Sequence, residues 1–233
     1  MSRKTAIVTG GSSGIGLAIA RKLRGQGVQV CVFDIQPPPE DFLYFPVDIR
    51  RTEEIQAAVS QIPAVDILVN NAGVYFEKYL EDTTDGEIDR MVDVNIKGTY
   101  RVTRAVIGRL KAVRGCVIII ASCLGVAPEL TSPLYCATKA GLIMLTKCLA
   151  QQYADCGVRV NCVLPGPTDT PLLRFPDEAA ARRCAERVPL RRLGRPEDVA
   201  NMAAFLASGE TGYVTGGAFP VDGGVSSTSM YSK

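Results

Sequence analysis

Three residues of this sequence have the side-chain types and spacing needed for acid/base chemistry at an oxygen atom. Tyr135 and Lys139 are four residues apart, so in a helix both side chains project from the same face. The reference pKa of tyrosine is about 10, and we expect the nearby ammonium group to lower it by stabilising the phenolate. Ser122 ends an apolar segment upstream and could hydrogen-bond an oxygen on which charge develops. The three residues predict proton transfer to or from an alcohol, with Tyr135 as the acid/base.

The absence of histidine excludes several other kinds of active site. None of the 233 residues is a histidine, so Ser-His-Asp and Cys-His hydrolases and HExxH metalloproteases are ruled out. Of the eight tyrosines, only Tyr135 is followed four residues later by a lysine. Such a pair also occurs for helix stability alone, but its position downstream of Ser122 favours the catalytic interpretation.

A glycine-rich segment, Thr9-Gly-Gly-Ser-Ser-Gly-Ile-Gly16, follows the first predicted strand and opens the first predicted helix. Its glycines at 10, 14 and 16 let the backbone turn tightly and approach a pyrophosphate, and the helix N-terminus offers N–H groups to phosphate oxygens. A simple connecting loop is the alternative. The strand–loop–helix context favours a dinucleotide site.

Asp34 ends the second predicted strand, 20 residues after Gly14. An acidic residue at this position accepts hydrogen bonds from the adenosine ribose hydroxyls and repels a 2′-phosphate. Ser12, Ser13, Ile35 and Gln36 supply no positive charge for such a phosphate. The sequence therefore predicts NAD rather than NADP, although a strand-end aspartate can also cap a turn.

Short apolar segments alternate with longer helical patterns, which predicts βαβ units and a parallel sheet. We expect one Rossmann-like, doubly wound α/β domain over residues 1–233, with about seven strands and helices on both faces. The predicted strands are 5–9, 28–33, 43–47, 66–69, 115–121, 158–164 and 218–221. The predicted helices are 15–23, 52–61, a long one within 84–110, 133–154 and 197–206.

Composition excludes other classes of protein. A net charge of +2 gives no basic field for nucleic acid. Eight cysteines without a CxxC pair or any histidine argue against a metal site and favour free thiols. The first strand begins so early that no signal peptide is expected, and no apolar run approaches the roughly 18 residues of a membrane span. These features predict a cytoplasmic protein with no membrane partner.

The motifs occur in the order and spacing of the short-chain dehydrogenase/reductase family, which the sequence resembles over nearly its whole length. The glycine loop, Asn70-Asn-Ala-Gly73, Ser122 and Tyr135-Cys-Ala-Thr-Lys139 carry the resemblance. It extends to Val94-Asn-Ile-Lys-Gly98, Pro165-Gly166, Thr170, Gly194-Arg-Pro-Glu-Asp198 and Val221-Asp-Gly-Gly224. The chain is similar to the compact members, which have no additional substrate domain.

The resemblance implies a role for each matching residue. Ser122, Tyr135, Lys139 and Asn95 would be catalytic, with Lys139 also holding the nicotinamide ribose and Asn95 positioning a proton-relaying water. Asp48 would contact the adenine, although it could equally cap the helix near residue 52. The cofactor-binding residues implied are Thr9, Gly10, Ser12, Ser13, Gly14, Ile15, Gly16, Asp34, Asp48, Ile49, Asn71, Ala72, Gly73, Tyr135, Lys139, Pro165, Gly166, Thr168 and Thr170. A homodimer or homotetramer would form through the helices around 84–110 and 133–154.

The substrate is less well defined by the sequence. Loops at the carboxyl edge of the sheet should line its pocket, with residues 171–190 as a substrate loop. Within them we expect Leu124, Glu129, Leu130, Tyr75, Phe76 and residues 171–188 to be pocket-lining. They suit a small cyclic or aliphatic alcohol or ketone, a polyol or a 3-oxoacyl thioester. A non-catalytic dinucleotide sensor and an NAD-using epimerase or dehydratase remain as alternatives.

Overall fold

The computed structural model describes residues 3–227, which form one seven-stranded sheet with helices on both faces. The strands lie in the order β3-β2-β1-β4-β5-β6-β7, and every neighbouring pair is parallel. This arrangement confirms the predicted doubly wound α/β fold. The strands β1 to β7 are Thr5–Thr9, Gln29–Asp34, Leu43–Pro46, Ile67–Asn70, Cys116–Ile120, Arg159–Pro165 and Ala218–Val221. The helices α1 to α7 are Gly14–Gly25, Thr52–Ser60, Asp85–Val92, Thr99–Val113, Pro133–Tyr153, Glu178–Arg187 and Pro196–Ala207.

Strand β5 shows why the apolar segments form central strands. All five of its residues are buried, as expected of a strand that is covered on both faces. Val117 and Ile119 pack with α2, α4 and α5 in one core, whereas Cys116, Ile118 and Ile120 pack with α1 and α7 in the other. Because successive side chains point to opposite faces, one continuous apolar run supplies both cores.

Two helical regions differ from the sequence prediction. The long helix expected within residues 84–110 is interrupted by a π-helical turn at Asp93–Gly98, which separates α3 from α4. Helix α6 was not predicted, because its sequence is rich in alanine and charge and none of its residues is buried. Hydrophobic periodicity could not reveal a helix that buries no apolar stripe.

The strand order brings the loops with chemistry to one edge of the sheet. Successive strands are added on one side of β1 up to β3 and on its other side from β4 onward, so the strand order switches between β1 and β4. The carboxyl ends of all the parallel strands lie at one edge, and a groove opens beside this switch point. The glycine loop follows β1, Asn71 to Gly73 follow β4, Ser122 follows β5 and Gly166 follows β6. In the part of the chain described, no helix is long and apolar enough to cross a bilayer.

Candidate active site

The loop between β1 and α1 requires glycine at three positions for different reasons. Gly10 and Gly14 have φ angles of 62° and 50°, in the left-handed region that favours glycine. A side chain at Gly10 would also meet the backbone of Ala72 at 2.9 Å, and one at Gly16 would overlap the carbonyl oxygen of Gly10. The loop therefore lies close to α1 and to the segment after β4.

The start of α1 provides hydrogen-bond donors beside this loop. Ser13 occupies the N-cap position, but its side chain makes no capping hydrogen bond. The first turn of α1 contains no acidic residue, so the backbone N–H groups and the positive end of the helix are available to an anion. Ser13, Gly14 and Ile15 line an adjoining cleft of about 540 Å³. These features suit a phosphate group.

Thr9 and Asn71 join two loops through hydrogen bonds, and Asn71 also lines the 540 Å³ cleft. The buried Thr9 hydroxyl accepts hydrogen bonds from the backbone N–H groups of Asn71 at 2.9 Å and Ala72 at 3.0 Å. The Asn71 side chain donates to the carbonyl oxygens of Thr9 at 3.1 Å and Gly10 at 3.0 Å. The loop after β4 is thereby fixed against the glycine loop.

Asp34 connects the glycine loop to the end of β2. Its carboxylate accepts hydrogen bonds from the backbone N–H groups of Ser12 at 3.0 Å and Gln36 at 3.1 Å. The bond to Gln36 is the turn-capping contact that the sequence left open as an alternative. Asp34 also lines the 540 Å³ cleft, and each carboxylate oxygen has a second lone pair for a ribose hydroxyl.

Asp48 lines the same cleft but is held by Arg50. The Arg50 guanidinium contacts both carboxylate oxygens at 2.6–3.0 Å, and this pair lowers the pKa of Asp48. Asp48 does not cap α2, since Arg51 occupies the N-cap position without a side-chain bond. Arg50 and Arg90 also line the cleft, so two cations lie near Asp34 in the fold although the residues next to it in sequence are uncharged.

Ser122, Tyr135 and Lys139 meet in a second cleft of about 480 Å³. The Ser122 Oγ accepts a hydrogen bond from the backbone N–H of Leu124 at 3.1 Å, in the turn that follows β5. Lys139 Nζ donates to the carbonyl oxygen of Ile120 at 3.0 Å and lies 5.4 Å from the centre of the Tyr135 ring. The predicted constellation is therefore assembled in one cleft.

The two titrating groups have pKa values shifted by burial. Burial raises the pKa of Tyr135, and the hydrogen bond with Ser122 only partly opposes this. The expectation that the pKa of Tyr135 lies below its usual value is therefore wrong for the protein alone, because loss of hydration is the largest effect on this group. Burial also lowers the pKa of Lys139 to about 8. Both shifts favour the neutral forms.

Asn95 lies in the π-helical turn and outside the lining of both clefts. Its buried side chain donates to the carbonyl oxygen of Val74 at 3.0 Å and accepts from the Val74 N–H at 2.9 Å. The amide is also 3.3 Å from the Thr138 hydroxyl, on α5 between Tyr135 and Lys139. Asn95 therefore fixes the loop after β4 against α5, whereas its role in a water relay stays a prediction.

The remaining residues that the sequence predicted to bind the cofactor divide into those that line a cleft and those that do not. Pro165, Gly166, Thr168 and Thr170 line the cleft of Tyr135, and Ile49, Ala72 and Gly73 line that of Asp34. Thr9, Ser12 and Gly16 line neither cleft; the hydroxyls of Thr9 and Ser12 bond to neighbouring backbone, and Gly16 allows the close approach of Gly10. Ser12 donates its hydroxyl to the Gln36 carbonyl at 2.6 Å.

Most of the expected substrate wall is present. Tyr75, Leu124, Glu129 and parts of residues 171–188 line the Tyr135 cleft, whereas Phe76 and Leu130 do not. The rings of Tyr75 and Tyr135 are 4.8 Å apart in an edge-to-face arrangement. Glu77, Cys123 and Val225 also line the cleft and were missed, because nothing in their sequence spacing signals it.

The two clefts share part of their lining, including Ile15, Gly73 and Thr170, so they form one continuous groove along the sheet edge. A parallel sheet with such a groove at its carboxyl edge defines a Rossmann-type α/β protein. A family model described as enoyl-(acyl carrier protein) reductase matches residues 10–226. The chain belongs to the short-chain dehydrogenase/reductase family of oxidoreductases, as its sequence motifs predicted.

Individual relatives support this assignment. The chain is 34% identical over 248 aligned positions to the human (Homo sapiens) (3R)-3-hydroxyacyl-CoA dehydrogenase, with 94% of each chain covered. The aldohexose dehydrogenase of Thermoplasma acidophilum superimposes with a TM-score of 0.95 at 32% identity, covering 99% of this chain and 97% of that one. The 3-ketoacyl-(acyl-carrier-protein) reductase of Brucella melitensis, complexed with NADH, gives 0.87 at 32% identity, covering 96% and 98%.

The close approach at Gly16 predicts a position-specific loss of stability. Gly16→Ala should lower the free energy of unfolding by about 1–3 kcal/mol, because its methyl group would overlap the Gly10 carbonyl oxygen. Gly25→Ala, in the same helix with nothing within 4 Å of the new atom, is the matched control and should cost nothing. Urea unfolding of both variants measures the difference. Equal stability of the two would contradict the close contact.

Proposed function

We propose that the protein is an NAD-dependent oxidoreductase that interconverts a secondary alcohol and a ketone. The observation that carries this proposal is the meeting of Ser122, Tyr135 and buried Lys139 in a cleft continuous with the Asp34 cleft. Both lie in one Rossmann-like unit, with residues 171–190 as the substrate loop. Eight free cysteines are compatible with a cytoplasmic location.

The groove fits a nicotinamide dinucleotide. Gly10 and Gly14 leave room for a pyrophosphate beside the α1 N-terminus, and Asp34 offers acceptors to ribose hydroxyls. Asn71 to Gly73 would pass beside the adenosine half, and Lys139 with Pro165, Gly166, Thr168 and Thr170 would hold the nicotinamide half. When bound, the nicotinamide accepts or supplies the hydride.

Side chains of the protein carry out the proton transfer. Tyr135 accepts the proton of the alcohol in oxidation and returns it to the carbonyl oxygen in reduction. Ser122 donates a hydrogen bond to the same oxygen as its charge develops. Lys139 lies on the face of α5 that carries Tyr135, where its positive charge would stabilise the phenolate. The buried cleft strengthens each of these interactions by excluding water.

Relatives favour one second candidate, reduction of a 3-oxoacyl thioester. The human relative is a 3-hydroxyacyl-CoA dehydrogenase, and the Brucella melitensis protein is a 3-ketoacyl-(acyl-carrier-protein) reductase. The chemistry at Tyr135 would be the same, and the larger thioester part of the substrate would extend out of the cleft. A non-catalytic sensor is disfavoured because it would not require Ser122, Tyr135 and Lys139 together.

Removing the Tyr135 hydroxyl should abolish most turnover but leave cofactor binding. Tyr135→Phe keeps the ring, so NADH should bind as in the wild type while turnover falls by about 10²–10⁴-fold. Tyr153→Phe, at the end of the same helix and outside the cleft, is the control. NADH absorbance with alcohols and ketones measures turnover, and NADH fluorescence measures binding.

Tyr135 also determines whether the rate of turnover rises or falls with pH. Oxidation requires deprotonated Tyr135 and should rise with pH, whereas reduction requires the protonated form and should fall. A Tyr135→Phe variant that retained most of its activity would disprove the assignment.

Cofactor choice should follow the charge of Asp34. NADH should bind at least tenfold more tightly than NADPH, about 1.4 kcal/mol, because the carboxylate repels a 2′-phosphate. Asp34→Asn should narrow this ratio, and Asp41→Asn, at an exposed position near β3, should not. Arg90→Ala tests one of the two cations that line the cleft, the other being Arg50, which is paired with Asp48. If the wild type bound NADH and NADPH equally and Arg90→Ala weakened NADPH binding alone, the charge of Arg90 would offset that of Asp34 and the prediction would be wrong.

We also propose a homodimer or homotetramer through α4 and α5. Tyr100 on α4 is 52% exposed and Met144 on α5 is 58% exposed, which is unfavourable for large apolar side chains unless a partner covers them. Sedimentation should give a species larger than the 25.0 kDa chain at micromolar concentration. Met144→Arg should shift it toward the monomer, and Leu80→Arg, outside both helices, should not. A monomeric wild type would contradict the proposal.

A further inference from the structure

Helix α6 presents two arginines to the cleft that contains Tyr135. Ala180, Arg183, Cys184 and Arg187 all line the cleft. Their spacing of three, one and three residues places them on one face of the helix. Alanine and cysteine are small, so the arginines supply the longest side chains and the only positive charges of this face.

Neither guanidinium has a hydrogen-bond or ion-pair partner within residues 3–227. Several other arginines of the described chain are paired, such as Arg21 and Arg24 with Glu40 and Arg192 with Asp198. Arg183 and Arg187 are exposed at the cleft and form none of the ion pairs found in this part of the chain. Their five-donor forks are thus available to a ligand.

Apolar side chains make up much of the cleft wall besides these arginines. Leu124, Leu173, Phe175 and Val188 line the cleft together with Tyr135. A ligand that fills it therefore meets an apolar wall together with two cationic groups. This combination matches a molecule with an apolar body and an anionic end.

We propose that the substrate is an alcohol or ketone bearing a carboxylate or phosphate group, which Arg183 and Arg187 bind. The proposal rests on the function proposed above and names the substrate class of the same site. Guanidinium groups pair with both anions through parallel N–H···O bonds. The apolar body of the substrate would lie against the wall while its alcohol carbon reaches Tyr135.

Two acidic residues in the same cleft offer the arginines an alternative partner, in which case the arginines would close the cleft and not bind substrate. Glu77 and Glu129 line the same cleft, and Glu77 accepts a hydrogen bond from the Tyr75 hydroxyl at 2.8 Å. The charges of both glutamates raise the pKa of the Cys184 thiol and that of Arg187 lowers it, while burial is the largest cause of its raised value. If the arginines bind substrate, Glu129 repels the anion. If the arginines instead pair with Glu77 and Glu129 across the cleft, this pairing would close the cleft over any ligand. Glu129 would then strengthen the binding of charged and neutral ligands alike.

The test uses ketones of increasing chain length with a carboxylate at the far end, each paired with its methyl ester, and the corresponding phosphates. Calorimetry of the full chain, with and without NADH, gives affinities, and NADH oxidation gives KM and kcat. The wild type should bind the best acid or phosphate at least tenfold more tightly than its neutral partner. The double variant Arg183→Ala/Arg187→Ala should lose this preference through KM, with kcat and ester binding little changed.

Two further variants make the test specific. Arg182→Ala, a neighbour on α6 that does not line the cleft, should behave as the wild type. Glu129→Gln should tighten binding of the anion, because it removes a repulsive charge. The preference of one anion over the other identifies carboxylate or phosphate as the group recognised.

Several results would overturn the proposal. Equal wild-type affinity for acid and ester would do so. So would weaker binding of every ligand in both the arginine variant and Glu129→Gln, which would indicate closure against the glutamates. Turnover of neutral ketones with no anion preference would remove this proposal and leave the oxidoreductase function intact. No turnover of any ketone would instead count against the function, while calorimetry still reports on the arginines.

Discussion

The buried ammonium group of Lys139 is the constraint on which the arrangement of the site depends. A charged or polar group out of water needs a partner, and Lys139 Nζ has the carbonyl oxygen of Ile120 at 3.0 Å. Ile120 is the last residue of β5, so this bond fixes α5 against the carboxyl end of that strand. Tyr135 lies one helical turn before Lys139, and Ser122 lies two residues after Ile120. One contact therefore sets the relative position of all three groups.

Side-chain bonds to backbone also join the other loops at this edge. Thr9 and Asn71 connect the glycine loop to the segment after β4, and Asn95 connects that segment to α5. Asp34 connects the glycine loop to β2. Neighbouring parallel strands end close together, so short polar side chains can span their loops. Much of the polar character of these motifs is used to hold the groove in shape.

The extent to which the sequence predicted the structure depends on the physical signal at each residue. Apolar runs such as Cys116–Ile120 predicted the sheet, and Gly10, Gly14 and Gly16 predicted the loop, because burial and backbone freedom leave a direct mark on residue type. The π-helical turn at Asp93–Gly98 left no such mark. Glu178–Arg187 has no buried residue and therefore no apolar stripe to predict its position over the cleft.

The direction of the Tyr135 pKa shift could not be predicted either, because it depends on packing that brings distant residues together. The spacing of Lys139 indicated a stabilised phenolate, but the Tyr75 ring lies 4.8 Å away and the hydroxyl is withdrawn from water. Sequence spacing reports which groups are neighbours along a helix. It does not report how many other segments cover them, and hydration decides which protonation state is favoured.

The groove separates two electrostatic environments, which assigns proton transfer and substrate choice to different residues. Lys139 and Tyr135 are buried, where charges interact strongly because water is excluded. Arg183, Arg187 and Glu129 are exposed at the same cleft, where water and salt weaken each interaction. A substitution on α6 can therefore alter which ligand is held without disturbing the Lys139–Ile120 bond. The buried contact must be kept for any substrate, whereas the exposed helix is free to vary with the molecule that is bound.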